Sequence, residues 1–334
     1  MVGFKICEDE YFEQKRETYV MDSFKFTNGE VLKDVTVEFM AFGNPKYDGN
    51  TITNAIVYCH GSLGNFTSVK KIFPLNYEND PFDENKYFFI SISALGSPGS
   101  CSPSSTNLKN KFPNYTIEDV VNFQKQFLSE KFNVEHVLGI IGNSMGGFVA
   151  LTSAILYPDF ADFIMPGVSS YKVAGHDYIL SKFVDEIITS DENYEKGISN
   201  DSIKRTIRLA SLAEYNFGVS KEALRATPKE ELSRNFEEFG DESLLLDVYD
   251  IKYCNEACMN YDVENDLNKI KAKTFIISCA QDPHFPPELD GIPMSEMIED
   301  SKIVIMDSQL GHLCFNELEN ITDELNDFMK EFDE

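Results

Sequence analysis

Between residues 18 and 42, apolar and polar residues alternate on either side of Thr27-Asn28-Gly29, which predicts two antiparallel strands joined by a tight turn. Further on, short unbroken apolar runs replace the alternation: AIVYC at 55–59, YFFISI at 87–92 and VLGII at 137–141. Runs of this length bounded by loops read as strands covered on both faces, and the stretch from 116 to about 131 reads as a helix between two of them. Residues 161–168, 273–278 and 302–306 repeat the strand pattern. From 171 to 266 it is lost, and charged segments bearing Leu, Phe and Tyr at helical spacing take its place. Strand-helix alternation implies a mostly parallel sheet with helices on both faces. The expected organisation is an α/β core domain made of residues 1–170 and 267–334, with 171–266 inserted as a helical cap. The acidic stretch 317–334 reads as a closing amphipathic helix.

Composition narrows the chemistry. The chain has 334 residues, with Lys+Arg 29 against Asp+Glu 56 and a formal net charge of -27. Binding a phosphate backbone or an anionic membrane surface needs clustered cations, so neither nucleic acid nor membrane is an expected partner. No membrane-length apolar run or cleavable leader is evident, and seven cysteines are odd in number and too sparse for a disulfide scaffold. A cytoplasmic protein with reduced thiols is expected. Cys254 and Cys258 lack the further Cys or His pair that a metal site requires, so they read as core or surface thiols and no metal is expected.

The segment Gly142-Asn143-Ser144-Met145-Gly146 fits G-x-S-x-G at a strand-to-helix junction, the context in which this pattern holds a nucleophile on a sharp turn. Serine needs a base to attack a carbonyl. Of five histidines, His136 begins a strand, His176 lies in the cap, His60 ends a strand in a structural setting, and His284 sits in a proline-bounded loop. His312, just beyond the last strand, is the expected base. Asp282 follows the penultimate strand and is the expected orienting acid; Asp307 is its rival, but lies close to His312 in sequence. The order Ser144, Asp282, His312 is that of the α/β-hydrolase fold. Backbone N–H groups of Met145 and of the Ser62–Leu63 loop are the expected oxyanion donors.

At these residues the chain resembles the homoserine O-acetyltransferase family. The matching segments are DENKYFFISISALGSPGSCSPSSTN, FPNYTIEDVVNFQKQFL, IIGNSMGGFVALTSAILYPD, and QDPHFPPE followed by GHLCF. The resemblance implies the Ser144-Asp282-His312 triad, a helical cap over the site and a homodimer joined through that cap. The chain departs from the family where homoserine is recognised. Leu313 stands where the family has an aspartate suited to the substrate ammonium, and Asp185 aligns where an arginine would meet the carboxylate. The expected activity is therefore that of an esterase-like serine hydrolase acting on a small-molecule acyl ester without a cofactor. The alternative is an O-acyltransferase of the homoserine O-acetyltransferase type, with acetyl-CoA as co-substrate.

Overall fold

The computed structural model describes residues 10–72, 80–198 and 201–332. Among them, eight strands build the main sheet: β1 (Glu17–Lys25), β2 (Val31–Gly43), β3 (Ala55–Cys59), β4 (Phe88–Ile92), β5 (Val137–Asn143), β6 (Ala161–Gly167), β7 (Lys273–Cys279) and β8 (Ser301–Met306). Their order is β1-β2-β4-β3-β5-β6-β7-β8. The β1–β2 hairpin turns at the expected Thr27-Asn28-Gly29, with Lys25 opposite Val31. β2 also pairs antiparallel with β4, and every later pairing is parallel. β3 and β4 are buried at every position, as their unbroken apolar runs require.

Helices cover both faces. α1 (Ile117–Phe132) starts at a capping box, with Thr116 accepting from Asp119 N–H and the Asp119 carboxylate accepting from Thr116 N–H. It ends at Asn133, whose left-handed backbone (φ 53°) suits an asparagine C-cap. With α2 (Met145–Leu156) it packs one core through Phe123, Phe127, Phe148 and Leu151. On the opposite face, Phe163 and Phe275 meet Phe328 from the C-terminal region.

Between β6 and β7 lie α3 (Gly175–Thr189), α4 (Lys204–Ala213), α5 (Lys229–Glu242) and α6 (Val248–Met259). Leu180, Val184, Ile207, Tyr249 and Ile251 form a small core of their own here. α6 also sends Tyr253 and Ala257 into the sheet core, tying the insertion to the rest. The acidic C-terminal stretch differs from the single helix expected. It forms short 3-10 turns around α7 (Thr322–Met329), with Leu318 and Ile321 of the preceding turn buried beside Leu325, Phe328 and Met329.

Candidate active site

Ser144 stands alone between β5 and α2, with φ 54° and ψ -123°, a conformation that non-glycine residues rarely adopt. Two residues to either side, the chain has to be glycine. A Cβ on Gly142 would lie 2.1 Å from the Gly146 carbonyl oxygen, and one on Gly146 would lie 2.0 Å from the Cys59 carbonyl oxygen. The turn is held by Ser144 N–H donating to the Gly167 carbonyl at 2.9 Å and by Ser169 Oγ donating to the Ser144 carbonyl at 3.0 Å. The first turn of α2 therefore starts directly at the hydroxyl.

The structure brings the three residues picked from the sequence together. His312 Nε2 is 3.0 Å from Ser144 Oγ, and His312 Nδ1 is 2.9 Å from Asp282 Oδ2. Asp282 is buried, and its other oxygen accepts from His284 N–H at 2.8 Å. Burial opposes ionisation of Asp282, but the adjacent His312 and the backbone hydrogen bond outweigh it and hold its pKa below the ordinary aspartate value. Asp307 is exposed and accepts from Gln281 Nε2 at 2.8 Å, away from the imidazole. His60 has the expected structural setting. Its Nε2 accepts from Ala94 N–H at 2.9 Å, and burial lowers its pKa to about 4, leaving the ring neutral. His136 is held by the Asp159 carbonyl at 2.9 Å and by Asp162 at 3.2 Å, and His176 is exposed.

Ser144 opens into a cavity of about 60 Å³, on the scale of a few water molecules or a short acyl group. Ser62, Leu63 and Met145 line it beside the hydroxyl, and Leu63 has a left-handed backbone (φ 59°). Cys254 and Cys258, read from the sequence as core or surface thiols, face this cavity because α6 leans over α2; Cys254 Sγ lies 3.6 Å from Met145 Sδ. Among the described residues no group of three or more His, Cys, Asp or Glu side chains could hold a metal, and no helix is long and apolar enough to cross a membrane. Cys7 lies outside the described residues.

Three ionisable lining residues were not picked out from the sequence as part of the site: Asp177, Glu214 and His284. His284 Nδ1 pairs with Asp177 Oδ1, reaching from the Asp282 loop to the start of α3. Burial works against a charge on His284, but the bond to Asp177 outweighs it and raises its pKa above the ordinary histidine value. Only the position of His284, two residues after Asp282, hinted at this; nothing local in the sequence marks the two acids. Asp185 is engaged elsewhere, with Lys252 at 2.8 Å and Lys182 at 2.9 Å. Among the described residues, neither Asp185 nor Leu313 lines the cavity, and no Lys or Arg does either. A larger surface depression of about 490 Å³, near Ile187 and Arg205, shares no residue with this cavity.

Residues 54–315 match the alpha/beta hydrolase fold family. The chain belongs to that family. It is 40% identical over 301 residues to a probable acyltransferase from Methanothermobacter thermautotrophicus, covering 90% of this chain and 93% of that protein. It is 26% identical to a homoserine O-acetyltransferase from Haemophilus influenzae, covering 86% of this chain and 90% of the relative. In three dimensions it is similar to an acetylester hydrolase from Corynebacterium glutamicum, with TM-score 0.84, 22% identity, and coverage of 94% of this chain and 96% of the other. The resemblance to the homoserine O-acetyltransferases read from the sequence motifs is matched by these relatives, and the protein is an enzyme of the alpha/beta hydrolase fold family.

Proposed function

We propose that this protein is a serine hydrolase that cleaves small acyl esters through an acyl-enzyme at Ser144. The observation that carries the reading is the hydrogen-bonded line from Ser144 Oγ through His312 to Asp282, ending on a short cavity without Lys or Arg. In the proposed reaction, Ser144 Oγ attacks the ester carbonyl while His312 Nε2 takes its proton. The tetrahedral intermediate collapses, and the alcohol leaves with the proton that His312 returns. Water, deprotonated by His312, then attacks the acyl-serine and releases the acid. Asp282 orients the imidazole and stabilises its charged form. Met145 N–H, with an N–H of the Ser62–Leu63 loop, would receive the developing oxyanion, helped by the positive end of α2.

A second reading keeps the acyl-enzyme and replaces water by a hydroxyl acceptor, with acetyl-CoA as donor. It is favoured by the 40% identity to a probable acyltransferase. Against homoserine as acceptor stand Leu313 beside His312, the engagement of Asp185 with two lysines, and a cavity wall without a cation for a carboxylate. A buried carboxylate without a partner costs several kcal/mol.

The two readings separate in one assay. Purified protein is given p-nitrophenyl acetate or acetyl-CoA, each with and without L-homoserine, and both ester hydrolysis and CoA release are followed. The hydrolase reading expects ester turnover that is indifferent to homoserine. Saturable O-acetylhomoserine formation with kcat/KM of ~10⁴ M⁻¹s⁻¹ or more, in the ordinary enzyme range, would assign the protein to transfer instead.

A further inference from the structure

The cavity at Ser144 is walled largely by apolar and sulfur-bearing side chains, among them Met145, Phe148, Phe285 and Cys254. Against that background its ionisable groups are conspicuous. Asp177 and His284 pair with each other. Glu214 does not share in such a pair: the charge that acts on it is that of His284, and no described residue hydrogen-bonds its carboxylate.

The position of Glu214 is unfavourable on two further counts. It caps the C-terminal end of α4, where the helix carbonyls already make the environment negative, and the last turn of α4 carries no basic residue to compensate. Glu214 is half-buried, and burial beside an apolar wall raises its pKa above the ordinary glutamate value. Among the lining residues Asp177 is paired with His284, and Glu214 is left with no Lys or Arg in the wall to meet its charge. A ligand cation would offset this deficit; a ligand carboxylate would deepen it.

We infer that Glu214 is a specificity-determining residue, selecting esters whose alcohol portion carries an ammonium group and no carboxylate, an acylated amino alcohol being the simplest class. This inference rests on the ester-hydrolase reading and names its substrate class. The ammonium would sit against the Glu214 carboxylate while the acyl carbonyl lies at Ser144, and the apolar wall would accept the methylene groups between them.

Three acetyl esters of nearly equal shape test it at neutral pH: 2-(dimethylamino)ethyl acetate, which is cationic, 3-methylbutyl acetate, which is neutral, and 3-acetoxypropanoate, which is anionic. The wild-type enzyme is expected to favour the cationic over the neutral ester by about 10-fold or more in kcat/KM, the scale of one charge-assisted hydrogen bond, and to turn over the anionic ester least. In Glu214→Gln the ratio of cationic to neutral kcat/KM should collapse toward one. A wild-type enzyme that cleaves the neutral ester as well as the cationic one overturns the inference and leaves the hydrolase reading standing. A cation preference that survives Glu214→Gln undiminished also overturns the role of Glu214. Failure to cleave any of the three overturns the hydrolase reading, and the inference falls with it.

Discussion

The rings of His284 and His312 lie with centroids 4.8 Å apart, so two imidazoles stand side by side, one in the cavity wall and one on the Ser144 hydroxyl. Only His312 reaches Ser144, while His284 is bound to Asp177 and stacks on Phe285 at 4.5 Å. The pair also links α3 of the insertion to the loop that carries Asp282, since His284 N–H donates to that carboxylate. Because the folded pKa of His284 is raised, its contribution to stability is fully present below the unfolded value of ~6.5 and is lost as pH rises through the folded value. Asp177→Asn removes the partner responsible. The destabilisation it causes should be about 1–3 kcal/mol near pH 6 and distinctly smaller near pH 9, measured by denaturant unfolding at both values. An equal loss at both pH values would mean that the pair contributes no charge-dependent stability.

Ser144→Ala should abolish labelling by a fluorophosphonate probe that the wild-type protein takes up. Labelling that persists in this variant would point to another nucleophile.

The acid can be assigned by comparing two aspartates. Asp282→Asn should lower kcat by about 10⁴-fold, the effect known for the orienting aspartate of serine proteases, because the imidazole is left in the wrong tautomer. Asp307, exposed and bonded to Gln281, should tolerate Asn with activity close to wild type. A crippled Asp307→Asn beside a mild Asp282→Asn would reverse the assignment.

Gly146→Ala should destabilise the fold by roughly 1–3 kcal/mol or more and depress kcat together with it. The new Cβ would meet the Cys59 carbonyl oxygen at 2.0 Å, and neither the end of β3 nor the start of α2 can move without shifting Ser144 and Met145. Thermal unfolding and ester hydrolysis measured on the same preparation check both parts; full activity with an unchanged Tm would count against the turn's rigidity.

For the assembly, we propose a homodimer formed through the inserted helices. Ile179 and Phe183, four residues apart on α3, are 66% and 58% exposed, an apolar pair on one helix face. Sedimentation should give a dimer for the wild type and a monomer for Phe183→Glu. A monomeric wild type would remove the proposal.

What the sequence determined by itself was whatever depends on neighbours along the chain. The unbroken apolar runs at β3, β4 and β5 had to become covered strands, and Gly142, Ser144 and Gly146 at a strand-to-helix junction required the sharp turn that is found. The order of Ser144, Asp282 and His312 was legible because each follows the end of a strand, and parallel strands bring those ends to one edge of the sheet. Tertiary structure alone decided what surrounds the triad. Asp177 and His284 are 107 residues apart, and Glu214 comes from the end of another helix, so no periodicity or local motif encodes their meeting. They meet because the insertion between β6 and β7 folds around its own apolar core and then docks on the sheet through α6. The positions of Ser144, Asp282 and His312 could therefore be read along the chain, whereas the residues that face Ser144 from α3 and α4 are decided only by how those helices pack.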